Sequence, residues 1–145
     1  MSTLDLKLRA ARFLARREHS RIELQRKLAP HAESAEQLET LLDTLERENM
    51  LSNTRYATQR AAQRGQRYGN ARLKLELRAQ GIGEEDLANA LAESGEELER
   101  ARHVWQKKFG VLPADTAERA KQQRFLETRG FSSDTIRTIF SGSDA

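Results

Sequence analysis

The chain has 145 residues, with 25 Lys and Arg against 22 Asp and Glu, a net charge of +3, two Pro and no Cys. That length holds one domain or a few small modules and excludes a large enzyme with a separate cofactor domain. Without cysteine there is no disulfide framework, Cys-containing zinc site or thiol nucleophile, and no apolar run approaches the ~18 residues that cross a bilayer, so a soluble cytoplasmic chain is expected.

Leu, Ala, Arg, Glu and Gln dominate, few residues are β-branched, and nowhere does a period of two persist, so the whole chain reads as helical. A first helix is expected over 4–18, where Leu6, Ala10, Phe13 and Leu14 recur at helical spacing. Ser20 with Glu23 fits a capping box that opens a second, 21–29. Pro30 stops it by disfavouring helical geometry at Ala29 and removing a donor. Ser34 with Gln37 opens a third, 35–49, carrying Leu38, Leu41, Leu42 and Leu45. Ser52 or Asn53 caps a fourth, 53–67, after which Gly65 and Gly69 flank a turn that displays Arg67 and Tyr68. A fifth, 70–80, ends at Gly81-Ile82, a glycine followed by an apolar residue as in a Schellman helix end. The sixth and seventh, 84–94 and 96–109, precede Asp115, which caps an eighth over 116–129 that closes at Gly130-Phe131. The ninth, 133–141, carries Ile136, Ile139 and Phe140.

These helices repeat. A shift of 49 residues superposes Leu24 on Leu73, Leu28 on Leu77 and Leu126, Leu38 on Leu87 and Ile136, and Leu42 on Leu91 and Phe140, with Ala32, Gly81 and Gly130 in register. The expected fold is therefore all-α: three tandem three-helix repeats, 1–51, 52–95 and 96–145, stacked into an elongated, curved molecule. Units this small have marginal cores, so each should lean on its neighbours.

Charge follows the same period. Residues 52–80 hold seven basic side chains and one acid, Glu76, whereas 81–99 hold seven acids and no base. Arg9, Arg12 and Arg16 form one stripe away from the apolar face of the first helix. Arg60, Arg64 and Arg67 form another beside Ala57 and Ala61, and Lys74 and Arg78 extend the basic surface of the middle repeat. One such stripe is ordinary solvated surface. Three basic segments in register, 1–31, 52–80 and 100–129, cost self-repulsion and point to a counter-charged partner, either nucleic-acid phosphate or an acidic protein surface.

Catalytic motifs are missing from the sequence: there is no phosphate-cradling glycine loop, no dinucleotide fingerprint and no His-Glu-x-x-His helix. His19, His31 and His103 fall in different segments and read as solvated helix-end or surface residues, so no catalytic residue, metal ligand or cofactor site is assigned. The aromatic residues mostly occupy core-like positions, Trp105 among them, with Tyr68 expected to be exposed.

Arg16-Arg17-Glu18-His19-Ser20-Arg21-Ile22-Glu23-Leu24 with Lys27-Leu28, Met50 to Ala57, Arg64-Gly65 to Gln80-Gly81-Ile82, and Lys121, Phe125-Leu126 and Arg129-Gly130-Phe131 resemble, in order and spacing, the RecX family of bacterial recombination regulators. The first repeat departs from the family pattern by ending in Pro30-His31-Ala32 rather than Arg-Gly-Phe. The resemblance implies a modulator rather than an enzyme, one that lodges in the groove of the RecA filament on DNA and inhibits its ATPase, strand-exchange and co-protease activities. The eight residues Arg9, Arg12, Arg16, Arg60, Arg64, Arg67, Lys74 and Arg78 are the expected contacts with RecA or DNA on the charge argument, and the charged surfaces and small cores lead us to expect a monomer. The competing expectations are a nucleic-acid-binding protein that acts without RecA, and an inert helical scaffold.

Overall fold

The computed structural model describes residues 1–142. Among them are nine α-helices and no strand: α1 Thr3–Arg16, α2 Arg21–Leu28, α3 Ala35–Arg47, α4 Asn53–Arg64, α5 Asn70–Ala79, α6 Glu84–Glu93, α7 Glu97–Lys108, α8 Thr116–Thr128 and α9 Ser133–Ser141. The sequence signals set these boundaries through ordinary capping. Ser20, Ser34, Ser52 and Asp115 accept from the backbone amides of Glu23, Gln37, Arg55 and Glu118, each bond satisfying one of the donors a helix start leaves open. Gly81 and Gly130 adopt the left-handed conformation, and the amides of Ile82 and Phe131 reach back to Leu77 and Leu126 to complete the Schellman ends.

The first helix ends at Arg16 rather than 18 and the fourth at Arg64 rather than 67, and two further details differ from expectation. Ala29 keeps right-handed helical geometry, and Ala29–His31 form a 3-10 turn with Pro30 at its start, so proline tightens the helix end instead of breaking it. The third helix stops at Arg47 because Asn49 takes a left-handed conformation and the Met50 amide returns to the Leu45 carbonyl, an asparagine doing the work that glycine does in the later repeats.

Burial follows the 49-residue period. Three separate apolar clusters form, one around Leu6, Leu24, Leu28 and Leu42, one around Tyr56, Ala61, Leu77 and Leu87, and one around Ala101, Leu126, Phe131 and Ile136. The register breaks at one buried position. Where Leu24 and Leu73 are buried in the first two repeats, the third has Gln122, whose Oε1 accepts from Trp105 Nε1 at 2.8 Å while its amide nitrogen donates to the Val111 carbonyl at 3.0 Å. Both ends of the buried amide are thereby satisfied, which is what makes its burial tolerable. The accessible surface of 8808 Å² exceeds the roughly 7,500 Å² expected of a compact chain of this mass, as end-to-end stacking of small cores requires.

Neighbouring repeats join by one device used twice. The first helical residue of each following repeat caps the first amide of the preceding repeat's second helix: Asn53 Oδ1 accepts from Arg21 N, and Glu97 Oε2 accepts from Asn70 N, both at 2.8 Å. An arginine two or three residues further on then reaches into the preceding interhelical loop. Arg55 pairs with Glu18 at 2.9 Å, and Arg100 donates to the carbonyls of Gly65 and Tyr68 at 3.1 and 2.8 Å. Finally the Schellman glycine seats on the preceding repeat, Gly81 against Ile22 and Gly130 against Arg72.

Candidate functional site

The second junction, between α4–α6 and α7–α9, positions a strongly cationic surface. Gly69 N donates to the Arg129 carbonyl at 2.8 Å and Ala71 N to the Gly130 carbonyl at 3.3 Å, so the two backbones meet with no side chain between them. This close approach swings Arg129, at the end of α8, over the turn that carries Tyr68. Three guanidinium groups gather on the Tyr68 ring: Arg72 at 3.9 Å, Arg64 at 4.4 Å and Arg129 at 5.5 Å from its centroid. Beside it Phe125 carries Arg129 at 4.6 Å and Lys108 at 5.5 Å, and meets Phe109 edge-on. Guanidinium held flat against an aromatic face loses little further freedom when its donors engage an anion.

Two adjoining recesses open on this cluster. One is lined by Gln66, Arg67, Tyr68, His103, Val104, Lys107, Lys108, Phe125 and Arg129, the other by Tyr68, Arg72, Lys121, Arg124, Phe125, Thr128 and Arg129. None of these side chains is acidic. Glu76 is the nearby counter-charge: it binds Arg64 through both oxygens at 2.6 and 3.1 Å and Arg72 at 3.4 Å. Its hydrogen bond from Arg64 holds the Glu76 carboxyl below the usual carboxylate range. One carboxylate thus orients two of the guanidiniums and leaves Arg67, Lys107, Lys108, Lys121 and Arg124 exposed. Such a surface repels itself until an anion occupies it.

Underneath lies Glu97. Its carboxylate accepts from Asn70 N, from Ser132 N at 3.0 Å and from Thr135 Oγ1 at 2.9 Å, tying α5, α7 and α9 together. Burial alone would raise its pKa, but the two amides and the hydroxyl outweigh that and hold it low. Burial lowers the pKa of Arg100 in the same junction.

The eight arginines and lysines singled out from sequence fall in four places. Arg64 and Arg67 belong to the cleft, though Arg64 is paired with Glu76. Lys74 and Arg78 line a different recess with Leu75, and Arg78 is bound to Glu84 at 2.9 Å. Arg60 lies with Arg17, Glu18 and Tyr56, and Arg9, Arg12 and Arg16 remain on α1. Sequence reasoning missed Arg72, Lys107, Lys108, Lys121, Arg124 and Arg129, because residues 50 positions apart meet only through the Gly69–Gly130 contact. Tyr68 is half-buried under its guanidiniums rather than open, and Trp105 is half-buried against the third core.

His19 corrects another expectation. It is buried, its Nδ1 donating to the Arg17 carbonyl at 3.0 Å and its Nε2 accepting from the Lys27 ammonium at 2.8 Å. Burial, with Arg17 and Lys27 nearby, pushes its pKa down. The signal available in sequence was its position directly before the Ser20 cap, where the chain turns sharply into α2. Among the described residues no group of three or more His, Asp or Glu is placed to hold a metal ion, and no helix is long and apolar enough to cross a membrane.

Fold and site together define an all-helical tandem-repeat protein whose distinguishing feature is a cationic, aromatic-lined cleft at a repeat junction. Residues 95–140 match the family model for the third three-helix domain of RecX. The chain is 53% identical over 142 residues to the regulatory protein RecX of Ralstonia pickettii (strain 12J), covering 97% of this chain and 89% of that one. It is 45% identical over 134 residues to its counterpart in Neisseria meningitidis serogroup C, covering 92% and 88%. The crystal structure of RecX from Lactobacillus salivarius superposes with a TM-score of 0.78 at 19% identity over 97% of this chain and 95% of that one, which shows the same fold. The chain belongs to the RecX family of regulatory proteins.

Proposed function

We propose that this protein regulates the RecA nucleoprotein filament in the cytoplasm, restraining its ATPase, recombinase and co-protease activities, and that the cleft around Tyr68 and Phe125 is the surface that meets DNA phosphate there. The supporting observation is the junction itself: seven cations line two adjoining recesses without one acidic side chain among them. The repeat units 1–51, 52–95 and 96–145 act in this reading as one stiff monomeric body, because bridging neighbouring filament subunits requires a strut that does not bend. Holding subunits together would restrict the ATP-driven rearrangements that strand exchange needs, so inhibition requires no chemistry from the chain itself.

The test adds the protein to RecA assembled on single-stranded DNA with ATP. Hydrolysis and strand exchange should fall, and unchanged rates would reject the proposal. The triple reversal R67E/K107E/R124E touches only exposed side chains and should keep the helical circular dichroism while raising the concentration needed for inhibition roughly tenfold or more. The same cleft supports a second reading, binding to nucleic acid without RecA. Under it, naked single-stranded DNA binds as tightly as the filament, and the triple variant lowers the salt slope of that binding by about 2.

A further inference from the structure

We propose that the outer face of α1 is a second docking surface, for a protein partner that offers an apolar groove with an acidic rim. Resting on the filament-regulator reading above, it assigns α1 to the protein component of the filament and leaves the nucleic acid to the cleft. The helix is apolar on two opposite sides. Leu6 and Ala10 are buried, with Phe13 and Leu14 packed beside them. On the far side Leu4, Leu8, Ala11 and Ala15 recur at spacings of four, three and four, which places them within an arc of about 60°. Leu4 is 67% exposed and Leu8 51%, and Met1, 41% exposed, lies just ahead of the helix. Single exposed leucines are unremarkable, but a continuous stripe on a helix already anchored by its other side marks an interaction surface.

Charge identifies the occupant. Arg12 and Arg16 border the stripe on one side, both exposed and with no hydrogen bond or ion pair among the described residues. Lys7 borders it on the other, held by Glu48 at 3.1 Å. Asp5, the one acid on the helix, is spent on the Ser2 cap. Phosphates would leave the leucines uncovered, whereas an acidic-rimmed apolar groove covers them and pairs the guanidiniums at once, the arrangement by which grooves read an amphipathic helix at i, i+4, i+7 anchors.

The test measures binding of the full-length protein to preassembled RecA–single-stranded DNA filament, and separately to the naked oligonucleotide, by anisotropy. L4E/L8E alters only exposed side chains, and it should weaken filament binding by about thirtyfold or more without changing oligonucleotide binding. L4M/L8M should restore it. R12E/R16E, which leaves the apolar stripe intact, should lose filament binding in the same selective way and answers the question if L4E/L8E fails to fold. Equal filament affinity in all variants overturns the proposal, as does a parallel loss on the oligonucleotide. So does a wild-type monomer–dimer equilibrium, or binding to anionic vesicles, that L4E/L8E abolishes. Wild-type protein that ignores the filament altogether overturns the proposed function first and this surface with it.

Discussion

The two junctions follow one plan and differ in how tightly they execute it. At the first, Asn53 supplies a neutral amide oxygen to Arg21 N, and a Cβ placed on Gly81 would lie 3.3 Å from the Ile22 side chain, close enough that the isoleucine must give by a few tenths of an ångström. At the second, a carboxylate replaces the amide and collects three donors, and Gly69 and Gly130 bring the backbones into direct contact. The looser junction only joins repeats, whereas the tighter one also builds a surface. The cations of α5, α7 and α8 converge because nothing larger than a hydrogen atom separates the chains that carry them.

Substitution should expose the contrast. The largest effect is expected for Gly69→Ala or Gly130→Ala. A Cβ on Gly69 would fall inside the Gly130 carbonyl, and one on Gly130 would lie 2.6 Å from Arg72 Cβ in a left-handed backbone, so each should lose about 3 kcal/mol of stability in urea melts. Each should also disperse the cleft, read as weaker phosphate binding in the folded fraction. Glu97→Gln should follow, costing about 2 kcal/mol, since an amide keeps an acceptor but leaves the charged hydrogen bonds unmade. Its matching changes at the first junction, Asn53→Ala and Gly81→Ala, should cost about 1 kcal/mol each and leave the cleft intact. Equal losses at both junctions would break the comparison.

Acid separates the regions more finely. His19 has a folded pKa below its ordinary 6.5, so the stability it contributes is present above 6.5 and drains away as the pH falls through the lower folded value. Glu97 behaves likewise from a starting point of 4.5. The urea midpoint should thus decline in two stages on acidification, the first absent in His19→Asn and the second reduced in Glu97→Gln, with Glu76 supplying part of what is left.

What the sequence made legible was whatever depends on near neighbours. Helix starts at Ser20, Ser34, Ser52 and Asp115 and ends at Gly81 and Gly130 rest on bonds spanning three to five residues, and the leucine period of 49 marks the cores directly. The cleft was half legible: Arg64 and Arg67 stood out as a stripe, but Arg72 and Arg129 join them through a contact between two glycines 61 positions apart. Gln122 did carry a signal, as the polar residue standing where Leu24 and Leu73 stand. Glu97 carried none, being one of seven acids in its segment, and nothing local distinguishes the carboxylate that holds three helix ends from those that face water.

The Pro30 turn has a consequence for how such a chain could lengthen. Where the later repeats present a glycine flush against the one before, the first presents Ala32 in extended backbone after a proline turn. A unit grafted ahead of Thr3 would find no seat of the Gly81 or Gly130 kind, whereas one grafted beyond α9 could bring its own. Duplication is therefore polar: this architecture accepts additions at one pole and refuses them at the other.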